Sequence, residues 1–185
     1  MPYATPEQLA VLMGRGDVPF TAAEQARAEL VLTLASGVID GETGQPLDLA
    51  TTTVELDGNG TQLLLLPRWP VTAVTDVSVV DDIDQAPADL VENVDYRWSR
   101  HGRLRRLRCR WPCIERAITA TVTAGWDPIP DEVRAICLRL AQAGWDNAAG
   151  LESERLGDWS VKYAVPGMNP TTSERSALGL YRARP

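Results

Sequence analysis

The feature that most constrains this chain is a change of hydrophobic period that happens twice. Before Gly44 and again after Asp131, apolar residues recur at helical spacing, while between Thr51 and Ala124 they alternate as in strands. A chain ordered helix, helix, strands, helix, arm keeps its helices together only if the strands are set aside between them. The fold class is therefore α+β with segregated elements. It is a small helical bundle, made of N-terminal helices and a long C-terminal helix, carrying an antiparallel β-hairpin or sheet insertion and ending in an extended arm. The expected helices are about 5–13, 21–38 and 131–149, and the β region is about 51–124. One domain is expected over about 1–165, with an arm over about 166–185.

Local signals carry these boundaries. Thr5-Pro6-Glu7-Gln8 places an N-cap Thr, a first-turn Pro and Gln at the reciprocal position. Thr21-Ala22-Ala23-Glu24 repeats the capping box, and Ala23, Ala26, Leu30, Leu34 and Val38 then mark a stripe expected to be buried. Gly41 and Gly44 should break that helix. Asp57-Gly58-Asn59-Gly60 between two β-rich runs predicts a hairpin. Val71–Val80, a hairpin turning at Ser99–Gly102, and Ile118–Ala124 supply further strands. Val133, Ile136, Cys137, Leu140, Ala141 and Gly144 define one face of the last long helix. Leu156–Tyr163 reads as a short strand or arm, and Ser173–Leu180 as a short helix.

Chemistry is sparsely supplied. His101 is the sole histidine, in an arginine-rich turn without a neighbouring nucleophile, so it makes a poor proton shuttle. His101, Cys109 and Cys113 lack the usual zinc spacing and a fourth ligand, and an odd count of three cysteines does not suggest a disulfide framework. No phosphate-binding glycine loop or nucleophile elbow occurs. The reading is no enzyme, no cofactor and no metal. The apolar run Leu63–Leu66 is far short of the roughly 20 residues that cross a bilayer, and no basic-apolar leader opens the sequence. The expectation is a soluble chain, without a membrane partner, retained in the cell that makes it.

Two segments are candidates for contact. Arg103, Arg105, Arg106, Arg108 and Arg110 form the densest charge cluster. If the strand continues to Trp111, then Leu107, Cys109 and Trp111 face one way and Arg106, Arg108 and Arg110 the other. That ladder suits a neighbouring subunit's carboxylates or DNA phosphates, with the subunit or solvent favoured because no aromatics interleave on the basic face. A net charge of −7 argues against nucleic-acid affinity through overall charge. The Pro/Thr/Ser/Arg-rich tail from Met168 to Pro185 cannot build a core of its own. A partner is expected to hold it, through Leu178, Leu180, Tyr181 and Arg182.

The stretch Val122-Thr123-Ala124-Gly125-Trp126-Asp127-Pro128-Ile129-Pro130-Asp131-Glu132-Val133-Arg134-Ala135-Ile136 resembles the head-tail connector (adaptor) proteins of tailed bacteriophages, in which a strand runs through Gly-aromatic and Pro into the last long helix. The helix opening at Thr21, the Leu63–Trp69-Pro70-Val71 link, Tyr96 before a hairpin and Gly157-Asp158-Trp159-Ser160 are similar, in the same order. The resemblance covers residues 5 to 165 and implies a virion neck protein assembled in the bacterial host cytoplasm. It implies a homo-oligomeric ring, commonly a dodecamer, bound under the portal protein. A stopper (head-closure) or tail protein would dock below, and DNA would pass through a lumen that negative charge keeps slippery, without sequence-specific binding. The C-terminal segment would reach the portal. The alternatives are another neck or tail-completion protein, or a DNA-binding packaging regulator.

Overall fold

A computed structural model describes residues 2–16, 18–82, 84, 86–147, 153–156, 159–162 and 167–183. The chain divides into two compact units, one from residues 1–45 and 128–182, the other built on residues 46–127.

The first unit is helical. α1 (Pro6–Leu12) and α2 (Ala22–Thr43) both open with the capping boxes read from the sequence. α2 runs past Gly41 and ends at Gly44, whose φ of 70° is the left-handed C-cap that glycine adopts without strain. α3 (Asp131–Asp146) buries Val133, Ile136, Cys137, Leu140, Ala141 and Gly144, the expected face. The sequence places the end of this helix near residues 148–150, which lie outside the described residues. α3 packs on α2, and α1 touches both. The buried face of α2 is Ala28, Val31, Leu32, Ala35 and Ile39. The stripe expected to be buried is instead largely exposed: Ala23, Ala26, Leu30 and Leu34 face outward and Val38 is half-buried. The helix is apolar on two opposite sides, and periodicity alone does not choose between them. Side-chain fit does, with Ser36 donating to the Leu32 carbonyl, accepting from the Tyr3 amide, and lying 3.6 Å from the Cys137 sulfur.

The second unit holds two antiparallel sheets. β1 (Ala50–Leu56), β3 (Val71–Val79), β4 (Ala88–Asp89) and β7 (Ile118–Ala124) form one in the order β1-β7-β3-β4. β2 (Leu63–Leu65), β5 (Tyr96–Ser99) and β6 (Arg103–Arg106) form the other in the order β2-β6-β5. β7 alternates as the sequence says, sending Ile118, Ala120, Val122 and Ala124 inward. β3 does not alternate, because its register shifts between Thr75 and Ser78, where Asp76 has φ 50°. That irregularity turns both Val74 and Val77 inward. Leu64, Leu104, Tyr96 and Trp111 of the smaller sheet and its flank join these valines in one core. A further hairpin, β8 (Ser153–Leu156) with β9 (Trp159–Lys162), follows α3.

The hairpin expected at Asp57–Gly60 is absent, since β1 pairs with β7 and β2 with β6. Gly58 instead donates its N–H to the Ile114 carbonyl at 2.8 Å, and a Cβ there would lie 2.0 Å from the Pro112 oxygen. The glycine serves close backbone approach where the chain passes from one sheet to the other, a need that the turn motif does not reveal.

Gly125 sits under a similar constraint, with φ 120° and the Asp48 carbonyl oxygen 2.2 Å from where a Cβ would stand. Gly125→Ala should destabilise the protein by about 2–4 kcal/mol in denaturant unfolding. Glu24, which accepts from Arg15 and from the N–H and hydroxyl of Thr21, is lowered from 4.5 to about 2. Its folded value lies below its unfolded one, so its stabilisation is present above about 4.5 and lost as pH falls toward about 2. Thermal midpoints recorded across that window should fall, and Glu24→Gln should flatten part of the fall.

Candidate functional site

The arginine cluster is not one ladder. β6 ends at Arg106, and along it Leu104 and Arg106 point inward while Arg103 and Arg105 point outward. The expected alternation through Trp111 fails because the chain leaves the sheet after Arg106 and bends back, Trp111 donating its backbone N–H to the Thr61 carbonyl. Arg106, with a side chain 7% exposed, grips Asp81 with both guanidinium nitrogens at 2.6 and 2.8 Å. It also donates to the Arg110 carbonyl and lies 5.4 Å from the Trp111 ring centroid. The same pair raises Arg106 and lowers Asp81 from their ordinary values, chiefly through its hydrogen bonds. Arg106 is thus an internal clamp, whereas Arg108 and Arg110 are exposed.

The outward face of the smaller sheet joins Arg103 and Arg105 of the charge cluster to Leu63, Arg97 and Trp98, which the sequence does not group with them. Arg97 stands opposite Arg105, Leu63 opposite Arg105 and Leu65 opposite Arg103. Leu63, Arg97, Trp98, Arg103 and Arg105 line a hollow of about 480 Å³. No salt bridge within the described residues reaches Arg97, Arg103 or Arg105. The available signal was Leu104 between two arginines, a period-2 fragment that sets the inward face one residue away from the register expected.

The C-terminal arm is held by its own chain. α4 (Thr172–Leu178) opens with a third capping box, Thr171 with Glu174. Glu174 also pairs with Arg139 of α3, whose guanidinium reaches the Asn169 carbonyl as well. Burial pushes the Glu174 carboxyl up, but the Thr171 amide and hydroxyl and the Arg139 guanidinium outweigh it and leave the carboxyl lowered. Arg175 meets Glu42 at 3.2 Å, Gln45 donates to the Tyr181 carbonyl at 2.8 Å, and Arg182 donates to the Glu42 carbonyl. Leu178 is buried in this unit, so it offers no surface to a partner. The Tyr181 hydroxyl is 3.4 Å from Glu132, Arg182 is exposed, and Leu180 is 69% exposed. A tail that builds no core alone is ordered here by Glu42, Gln45 and Arg139, all remote in sequence.

His101, Cys109 and Cys113 are exposed, and the described residues contain no group of three or more ligand-type side chains arranged for a metal ion. Cys137 is buried, and that burial pushes its thiol up despite hydrogen bonds from Ser36 and the Tyr3 and Ala4 backbone. No helix of the described residues is long and apolar enough to cross a membrane.

No protein-family model matches the chain, and no curated protein does. Solved structures do. A chain of the neck of an empty gene transfer agent (GTA) particle, computed with C6 symmetry, is 17% identical with a TM-score of 0.63 over 97% of this chain and 89% of that one. A chain of the virion of a native GTA particle is 21% identical, TM-score 0.63, over 100% and 90%. A chain of the native GTA neck, computed with C12 symmetry, is 17% identical, TM-score 0.54, over 97% and 91%. At these identities the likeness is one of fold, and it extends over nearly the whole chain.

The clamp and its neighbours should separate under mutation. Arg106→Ala should cost about 2 kcal/mol in chemical denaturation, because it removes a charge-assisted hydrogen-bond pair to Asp81 and the packing of a nearly buried side chain against Trp111. Arg108→Ala and Arg110→Ala should each stay within about 0.5 kcal/mol.

Proposed function

We propose that this chain is a structural virion neck protein, a ring-forming head-to-tail adaptor that binds under the portal, joins capsid to tail and lets DNA pass through its lumen. The observation that carries the reading is the fold likeness to neck chains over essentially their full length, in particles computed with C6 and C12 symmetry. The connector-like order of segments around Gly125–Pro130 points the same way. On this reading the partners are further copies of the chain in a ring of twelve, the portal protein, and a stopper or tail protein below. The chain would act in the virion neck after assembly in the bacterial host cytoplasm, as a structural part and not a catalyst.

The arm of residues 166–185 is the portal-facing element in this proposal, through exposed Leu180 and Arg182 and half-buried Tyr181. Leu178 and the Glu174–Arg139 pair hold it in position. The basic face of Arg97, Arg103 and Arg105, together with exposed Arg108 and Arg110, is left for a subunit contact or for the phosphates of passing DNA.

Mixing the full chain with portal rings of the same virion and imaging the product tests the reading. Twelve copies seated on one portal are expected, and Leu180→Asp should reduce occupancy at least tenfold with the fold intact. Deleting the arm is a poorer test, because it uncovers the α2 and α3 surfaces that α4 covers. A chain that ignores portal rings but joins other neck parts would make it a different neck or tail-completion protein. Duplex binding that weakens steeply with salt, without portal binding, would make it a packaging regulator.

A further inference from the structure

α2 carries a second apolar line that the fold of the chain leaves open. Ala23, Ala26, Leu30, Leu34, Gly37 and Gly41 follow at steps of three, four, four, three and four residues. That averages about 3.6, so the residues run straight along the helix. All six are exposed, Leu30 at 59% and Leu34 at 51%. The line lies opposite the face that Ala28, Leu32, Ala35 and Ile39 bury, and the charges of Arg27, Glu29 and Asp40 fall beside it. A helix apolar on two opposite sides is the pattern of a helix covered on both.

The two glycines give this line a second, independent anomaly. Glycine inside a helix destabilises it relative to alanine. A Cβ built at Gly37 or Gly41 meets nothing within 4 Å, so no contact among the described residues requires their bareness. What glycines on an open helix face permit is close approach by another backbone.

The same unit also presents a concave apolar surface. Ala10, Val11, Val18, Pro19 and Phe20 line most of a hollow of about 250 Å³, with Glu7 and Gln25 at its polar edge and Val11 67% and Val18 64% exposed. A ring closes through head-to-tail contacts, which require two different faces of one subunit. A ridge and a hollow are two such faces. We propose that the α2 line is the self-association surface of this protein. It seats in the α1 hollow of a second copy, and Gly37 and Gly41 admit the neighbour's backbone. The occupant is a second copy because the assignment rests on the ring reading above.

Sedimentation velocity of the full chain over a concentration series tests this, with circular dichroism as the control for folding. Wild type should associate, while Leu30→Glu with Leu34→Glu, and Val11→Glu with Val18→Glu, should each sediment as folded monomers. An equimolar mixture of the two variants should stop at dimers, since one intact ridge then meets one intact hollow. Gly37→Gln with Gly41→Gln should raise the thermal midpoint by about 4–8 °C while weakening association at least tenfold. A wild type that stays monomeric, a stripe variant that associates normally, or a mixture that stays monomeric overturns the proposal. So does a glycine variant that associates unimpaired. The neck reading falls on a separate result, failure to join portal rings; a stripe variant that still seats a full ring there would overturn the interface and leave the neck role standing.

Discussion

The second unit depends on the short pairing through which the chain enters and leaves it. Leu49 donates to the Trp126 carbonyl, Trp126 donates to the Leu47 carbonyl, and Asp48 bridges to Trp126 in parallel. This brings the two ends of a segment of some eighty residues together before any sheet is counted. Gly125 makes the pairing possible, since a side chain there would collide with the Asp48 backbone. Arg68 reaches the Pro46 and Asp48 carbonyls from the side, and Trp69 packs edge-on against Trp126. The segment is therefore closed at its base.

How much of this was legible in the sequence depends on how local the deciding interaction is. Capping boxes are decided within four residues, and Thr5, Thr21 and Thr171 all cap as their neighbours dictate, though the third was not singled out. The face of α3 was legible because only one of its sides is apolar. The face of α2 was not, because both sides are, and the choice rests on Ser36, Cys137 and Tyr3 meeting from three parts of the chain. The missing hairpin at Asp57–Gly60 has the same cause: its glycines suit a tight turn and suit close passage equally well, and only Pro112 and Ile114 distinguish the two.

The candidate contact residues divide along the same line. Arg106 and Leu178 looked available because the sequence does not show Asp81, Trp111, or the α2 and α3 surfaces arriving beside them. Once those partners are in place, the chemistry of both residues is satisfied internally. Arg103 and Arg105 stood out only as members of an undivided charge cluster, and Arg97 not at all, for the converse reason. Their grouping on one face exists only across β5 and β6, and the one-residue difference in register along β6 decides which arginines face out.

This suggests where contact surfaces are to be sought along the described residues. A residue whose properties its own fold fully uses explains stability. A residue whose properties cost something and bring no return within the chain points outside it. Leu30 and Leu34 present apolar surface to water, Gly37 and Gly41 weaken a helix that no internal neighbour crowds, and Arg97 faces Arg105 without an intervening carboxylate. None of these is explained by either compact unit taken alone. Each would be met by a neighbour, and under the ring reading proposed above the neighbour along α2 is another copy of the chain.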